Sequence, residues 1–180
     1  MMNLRRGLLG LLLGVCTGLA QAASYAPPPL KLEPLARFTV DLVAPVWELG
    51  ETSAQGKRRI IPITGGRFEG ARLKGTILNN GADWQIVSPE GVAIIDTRYL
   101  LQTDDGALIY LRTEGYRYGP DAVMKRVAAG EDVDPSLYQF RITLRFETSA
   151  PQYAWLNRTV GVGSAMRLGN AVVYDAFEVK

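Results

Sequence analysis

From Phe38 onward the chain alternates apolar and polar side chains with a period of two, the spacing of strands rather than of helices. Phe38, Val40, Leu42 and Ala44 share one face of a first strand. Arg59 to Ile63 form a second, which the Gly65-Gly66 pair is expected to end. Leu73, Gly75 and Ile77 alternate with Lys74, Thr76 and Leu78, and Asn79-Asn80-Gly81 supplies residues that tolerate positive φ in a turn. Trp84 to Ser88 pairs next, and Pro89-Glu90-Gly91 turns again. Ala93 to Thr103 is a long strand, Asp104-Asp105-Gly106 a hairpin signal, and Leu108 to Glu114 the return. Tyr138 to Thr148 alternates most cleanly, with Phe140, Ile142, Leu144 and Phe146 on one face and Arg141, Thr143, Arg145 and Glu147 on the other. Tyr153 to Val162 and Ala171 to Val179 complete the series.

One segment departs from this period. Pro120 before Ala122 to Ala129 and Gly130 after it bracket a short helix, expected to cap or plug one end of a sheet. Short strands separated by turn signals imply a sandwich or a barrel. The mostly short connections favour an all-β, single, antiparallel up-and-down β-barrel of about eight to ten strands, and closure removes aggregation-prone edges.

The N-terminus reads as an address. Arg5 and Arg6 precede a largely apolar run from Gly7 to Leu19, and Ala20-Gln21-Ala22 matches a signal peptidase site. The run is too short for the roughly 20 residues that span a bilayer, so residues 1–22 are read as a secretory signal peptide and not as a permanent membrane anchor. The bulky Val15 before Cys16 argues against a lipoprotein box. The Arg pair leaves Sec and twin-arginine export both open. Residues 23–34, with Pro27-Pro28-Pro29, read as a stiff spacer, and residues 35–180 as the barrel. The expected location is periplasmic or secreted.

Composition narrows the chemistry. The 180 residues include no His and one Cys, Cys16, inside the removable segment. That leaves no Ser-His or Cys-His nucleophile, no His- or Cys-ligated metal and no disulfide. The formal charge of +2 also belongs to the address: without Arg5 and Arg6, eighteen basic residues face eighteen acidic ones. A neutral mature chain argues against nucleic-acid binding. No cofactor or obligate metal is expected. Asp and Glu between Gly130 and Pro135 lack the spacing of an EF-hand. Gly65 to Gly70 lacks the Gly-Lys-Ser/Thr of a phosphate loop. Asn157-Arg158-Thr159 is a glycosylation sequon only in a eukaryotic secretory host.

Six motifs occur in order: Gly65-Gly66-Arg67-Phe68-Glu69-Gly70, Gly81-Ala82-Asp83-Trp84, Asp96-Thr97-Arg98-Tyr99, Thr103-Asp104-Asp105-Gly106, Phe146-Glu147-Thr148 and Tyr153-Ala154-Trp155-Leu156-Asn157. Together they resemble the bacterial and fungal family called domain of unknown function 3237, from about Phe38 to Val179. The resemblance implies a calycin-like β-barrel. It implies no settled activity, and the signal peptide is a departure from many members.

The pleat sorts the candidate chemistry. Asp96, Arg98, Leu100 and Gln102 point one way, and Ile95, Thr97, Tyr99 and Leu101 the other. In one reading Asp96, Arg98, Arg141 and Glu147 are ordinary surface charges. In the other they turn inward: Arg98 and Arg141 grip a ligand carboxylate or enolate, while Asp83, Asp96 or Glu147 acts as general base. Tyr99, Tyr138 or Tyr153 then donates a proton to an oxyanion. Trp84 either stacks on an aromatic ligand or packs in the core with Asp83 holding the turn. Tyr153 and Trp155, two apart, either line a pocket with Trp84 or close the core. Asp104 and Asp105 belong to the hairpin and not to a carboxylate dyad.

Three functions are compatible with these residues. A barrel with sixteen aromatic residues suits binding of a small, partly hydrophobic or aromatic molecule, and this reading stands first. A cofactor-free isomerase, lyase or cyclase using a carboxylate, a Tyr and an Arg is the alternative. A structural or interaction protein of the envelope is the third, and it requires a packed interior and an exposed apolar patch.

Overall fold

The computed structural model describes residues 26–180 except Ala44. The expected signal peptide, Cys16 and the first-strand position Ala44 lie outside the described residues. Eleven strands and one α-helix follow in order: β1 (Leu32–Leu42), β2 (Trp47–Ser53), β3 (Gly56–Glu69), β4 (Gly75–Ile77), β5 (Gly81–Asp83), β6 (Ile86–Val87), β7 (Ala93–Thr103), β8 (Leu108–Tyr118), α1 (Asp121–Ala128), β9 (Gln139–Glu147), β10 (Gly161–Arg167) and β11 (Ala171–Val179). Short 3-10 helices cover Pro135–Leu137 and Pro151–Arg158.

The strands close into an antiparallel barrel of eight staves. β1 pairs with β11 on one edge and with β3 on the other, which seals the ring. Between β3 and β7 one stave is broken into β4, β5 and β6, each paired on both sides. From β7 to β11 each stave pairs with its chain neighbour, so the path is an up-and-down meander. β2 stands outside the ring as a hairpin arm on the first part of β3, and all seven of its residues are exposed.

Four sequence expectations change. The Gly65-Gly66 pair bends β3 instead of ending it. Gly66 has φ +132°, and a Cβ there would sit 2.1 Å from the Thr39 carbonyl oxygen, so only glycine lets β1 come this close. Residues 153–162 are not one strand. Pro151 opens a 3-10 helix, and the Asn157 side chain replaces a strand partner: it accepts from the Thr148 N–H at 2.8 Å and donates to the Thr148 carbonyl at 2.9 Å. Tyr153 and Trp155 therefore do not share a pleated face. β1 starts at Leu32, inside the expected spacer, with a register shift at Pro34. β8 runs on to Tyr118, four residues beyond its expected end, because its alternation with β9 continues as far as Gln139.

The interior has two halves. Register places Phe68, Phe38 and Tyr174 opposite one another on three neighbouring staves. Their rings stack, with centroids 5.4 Å and 4.7 Å apart. From the facing wall the Tyr99 hydroxyl meets that of Tyr174 at 2.5 Å. On one side of this belt Leu73, Leu101, Ile109, Leu111, Phe146 and Leu156 fill the barrel with apolar atoms. Leu156 comes from the Pro151–Arg158 helix that covers this end. On the other side lies the end where β1, β8 and β10 finish and β7, β9 and β11 begin. Here α1 packs Val127 into the core beside Val123 and Met124.

Phe38 is wholly buried at the centre of the belt. Phe38→Ala is expected to cost about 3–5 kcal/mol of unfolding free energy. Urea denaturation checks this, and a loss below about 1 kcal/mol would mean that the belt does not hold the barrel together.

Candidate functional site

The half of the barrel beyond the aromatic belt is lined differently from the packed half. Inward positions of β5, β7 and β8 that could carry Leu or Ile carry Asp83, Thr97 and Thr113, and Gln85 follows between β5 and β6. Ile61, Ile95 and Ile142 share the lining. The space they leave is a cavity of about 40 Å³, floored by Tyr99 and Tyr174. That admits a few waters and is polar enough to hold them. Towards the open end it is rimmed by Leu42, Arg117, Arg167 and Val172. Each of these stands within two residues of a strand end on the same side of the barrel.

Asp83 is anchored on the wall. One carboxylate oxygen accepts from the Asp96 backbone N–H at 3.1 Å and the other from the Gln85 side-chain amide at 2.8 Å. Burial pushes its carboxyl above the ordinary range, against these hydrogen bonds, the charge of Arg117 and the Thr97 hydroxyl. Burial likewise pushes the Tyr99 and Tyr174 hydroxyls up, so both stay neutral donors through the physiological range.

Arg117 also lines the cavity and is only 8% exposed. Among the described residues its side chain takes part in no ion pair or hydrogen bond, and its buried Nε has no partner. Its guanidinium stands 5.6 Å from the centre of the Phe140 ring. Burial, with repulsion from Arg167 and Arg59, lowers its pKa to about 10, while Asp83 and Tyr138 pull the other way. It is therefore cationic at neutral pH. Gln85 Oε1 is likewise buried without a partner, and the buried Arg59 Nε makes no hydrogen bond, only an ion-pair contact. Arg59 leans on Glu48 of β2 at 3.4 Å.

The residues singled out in the sequence do not assemble into one site. Asp83 and Tyr99 face the cavity. Asp96 and Arg98 lie on the outer wall, paired with each other at 3.0 Å, with Arg112 reaching Asp96 at 3.3 Å. Trp84 is also outside, 5.6 Å below the Arg98 guanidinium. Arg141 and Glu147 are exposed positions of β9 whose neighbours Phe140 and Phe146 point inward. Glu147 borders an open outer trough of about 1020 Å³, and Arg141 another of about 550 Å³. Tyr153 and Trp155 belong to the opposite, packed end. There Tyr153 donates to Asp105 at 3.3 Å, and Trp155 lies 4.2 Å from the Arg72 guanidinium. Tyr138 is buried, and its hydroxyl accepts from the Arg167 backbone N–H at 2.9 Å. Among the described residues no three His, Cys, Asp or Glu side chains come together as a metal site requires.

Sequence reasoning missed Arg117, Gln85, Thr113 and Arg167. The signal was parity. Arg117 continues the inward series Ile109, Leu111, Thr113 of β8. Gln85 is two residues from Asp83, and Arg167 continues Gly161, Gly163, Ala165.

Comparison with known proteins follows the same architecture. The family described as "Protein of unknown function (DUF3237)" matches residues 29–179. A UPF0311 protein of Rhodopseudomonas palustris is 41% identical over 143 residues, covering 79% of this chain and 93% of the relative. A UPF0311 protein of Clostridium acetobutylicum is 35% identical over 150 residues, covering 83% and 94%. Among solved structures, a β-barrel-like protein from Acinetobacter baumannii is 70% identical, with a TM-score of 0.77 over 87% of this chain and 99% of that one. An enzyme from Penicillium herquei, 22% identical with a TM-score of 0.62 over 87% and 98%, shares the fold. The chain belongs to the DUF3237 family.

A carboxyl whose pKa is raised on folding destabilises the protein above its unfolded value of about 4 and not below it. Asp83→Asn keeps an oxygen for the Asp96 N–H. It is expected to raise the melting temperature at pH 7 and to leave it unchanged near pH ~3.5, as thermal unfolding at both values reads. A variant less stable at pH 7 would mean that folding does not raise the pKa of the Asp83 carboxyl.

Proposed function

We propose that this member of the DUF3237 family is a periplasmic or secreted protein that binds a small, partly hydrophobic molecule at the open end of its barrel. The observation that carries this reading is the polar lining of a half-filled interior. A barrel built only for stability would fill both halves alike, because buried polar atoms without partners cost about 1–3 kcal/mol each. Here Gln85 Oε1 and Arg117 Nε are left without partners on one side of the belt, while on the other the buried Thr103 and Glu178 both have partners, the Ala107 carbonyl for one and Arg72 and Lys180 for the other. A ligand supplies what Gln85 and Arg117 lack, and Leu42 and Val172 at the rim supply apolar contact for its body. The cavity as it stands takes only the head of such a molecule, and the rest occupies the mouth. Export is supported by the basic, apolar and Ala-x-Ala segments of residues 1–22, which precede the family match at residue 29.

A second reading draws on the raised pKa of Asp83 in the same cavity. Asp83, Tyr99 and Arg117 form a carboxylate, Tyr and Arg set suited to cofactor-free isomerase, lyase or cyclase chemistry. Asp83 takes a proton from an acidic C–H, and Arg117 faces the charge that develops. In that case Asp83→Asn abolishes turnover of a bound compound while leaving its affinity within about threefold, whereas a carrier shows no turnover to lose.

Two measurements test these statements. A thermal-shift screen of metabolite-sized compounds is expected to yield ligands for the wild-type protein. Thr113→Leu, which fills the cavity with apolar volume, is expected to remove those shifts while the fold persists by circular dichroism. Ligands that stabilise both proteins equally, or none at all, would overturn the cavity as the site. Mass spectrometry of the exported protein is expected to find Ala23 at its N-terminus, and an intact Arg5-Arg6 segment on the purified protein would overturn the export reading.

A further inference from the structure

We propose that the ligand is a small organic carboxylate that also carries a hydrogen-bond donor, with Arg117 as the residue that holds its charge. This rests on the cavity being the binding site, and adds what the site selects. Two guanidinium groups line the open end, Arg117 and Arg167, and Arg59 borders an outer recess next to Arg117. Glu48 beside Arg59 is solvent-exposed and stands outside the cavity. The one carboxylate in the lining, Asp83, already uses its oxygens on Asp96 and Gln85 and makes no ion pair with Arg117 among the described residues. The interior thus has an excess of fixed positive charge and no anion in contact with it.

A buried guanidinium without a carboxylate is an expensive arrangement, and the penalty falls when an anion arrives. Its fork of N–H donors matches a carboxylate in two parallel hydrogen bonds, which a neutral amide cannot reproduce. The second specification comes from Gln85. Its amide nitrogen is committed to Asp83, which fixes the orientation of the group and leaves Oε1 as a buried acceptor with nothing to accept. A ligand hydroxyl or N–H satisfies it. The small volume next to these groups admits the acid head alone. Leu42 and Val172 then meet the less polar remainder, whether a ring or a chain.

The test compares salicylate, 3-hydroxybenzoate, benzoate and decanoate with the neutral benzamide by calorimetry on the purified protein. Salicylate is expected to bind at least about tenfold more tightly than benzamide. Arg117→Met is expected to abolish that difference, while Arg145→Met on the outer wall leaves it intact. Because Arg117→Met removes a buried group, the wild-type protein supplies an independent reading: the Arg117 side-chain Nε–H resonance is expected to shift on addition of salicylate. 3-Hydroxybenzoate, whose hydroxyl cannot close onto its own carboxylate, binding more tightly than benzoate would support the donor for Gln85, and equal affinity would overturn that part. Decanoate binding more tightly than all the aromatic acids would identify a fatty acid as the source of the carboxylate and would overturn the donor for Gln85. Benzamide binding as well as salicylate, or an unmoved Arg117 resonance, would overturn the anion assignment. Should neutral compounds alone bind, and lose binding in Thr113→Leu, the cavity stands and the carboxylate falls. Should nothing bind, both fall.

Discussion

The structure depends on β1 pairing along both of its edges. With β11 on one side and β3 on the other, the sheet has no free edge in its ring, and every inward side chain is removed from water at once. An eight-stave barrel leaves little room inside, so the character of each inward residue matters more than in an open sheet. Apolar inward residues are stabilised by that confinement. Inward charges are penalised by it, and the raised Asp83 carboxyl and the lowered Arg117 guanidinium are two expressions of the same desolvation.

The belt of Phe68, Phe38, Tyr174 and Tyr99 divides this confined space. Beneath it the barrel behaves as an ordinary core, closed by Leu156 and tied at its rim by Asp105, Asn157 and the Arg72–Glu178 pair at 2.6 Å. Above it Asp83, Gln85, Thr97, Thr113 and Arg117 replace what packing alone would select. The packed half gives the fold its rigidity, so the other half can hold polar groups that are not fully satisfied within the protein. Several residues of the six sequence motifs serve the first task. Gly66 permits the close approach of β1, Asp105 and Tyr153 tie the hairpin to the helical turn, and Asn157 stands in for a missing strand. Asp83, Thr97 and Tyr99 carry the motifs into the cavity.

The outer wall explains why residue types alone misdirect the search for a site. Asp96, Arg98, Arg112 and Glu114 form a chain of ion pairs on the solvent side. Such partly exposed pairs contribute little to stability. Their chemistry is that of a binding site, and their placement is that of a surface. Trp84 follows them outward because it sits one residue from Asp83 on a pleated backbone.

Local pattern decided the strands, the meander and the short helix, because alternation, turn residues and the Pro–Gly bracket around α1 act over neighbouring positions. It also decided that Tyr99 would oppose Asp96 and Arg98, since the pleat has no other period. It did not decide which face was the inside, since that requires closure, a contact between β1 and strands far away in the chain. Nor did it reveal that Gly65-Gly66 continues a strand, which depends on the distant Thr39, or that Tyr153 to Arg158 coils, which depends on the Asn157 side chain closing back on Thr148 and not on alternation. Arg117, Gln85 and Arg167 were visible by parity, yet only the tertiary structure brings them from three separate segments to one cavity. The absence of His limited the chemistry from the sequence alone, and desolvation inside the closed barrel set which of the remaining groups are left unpaired.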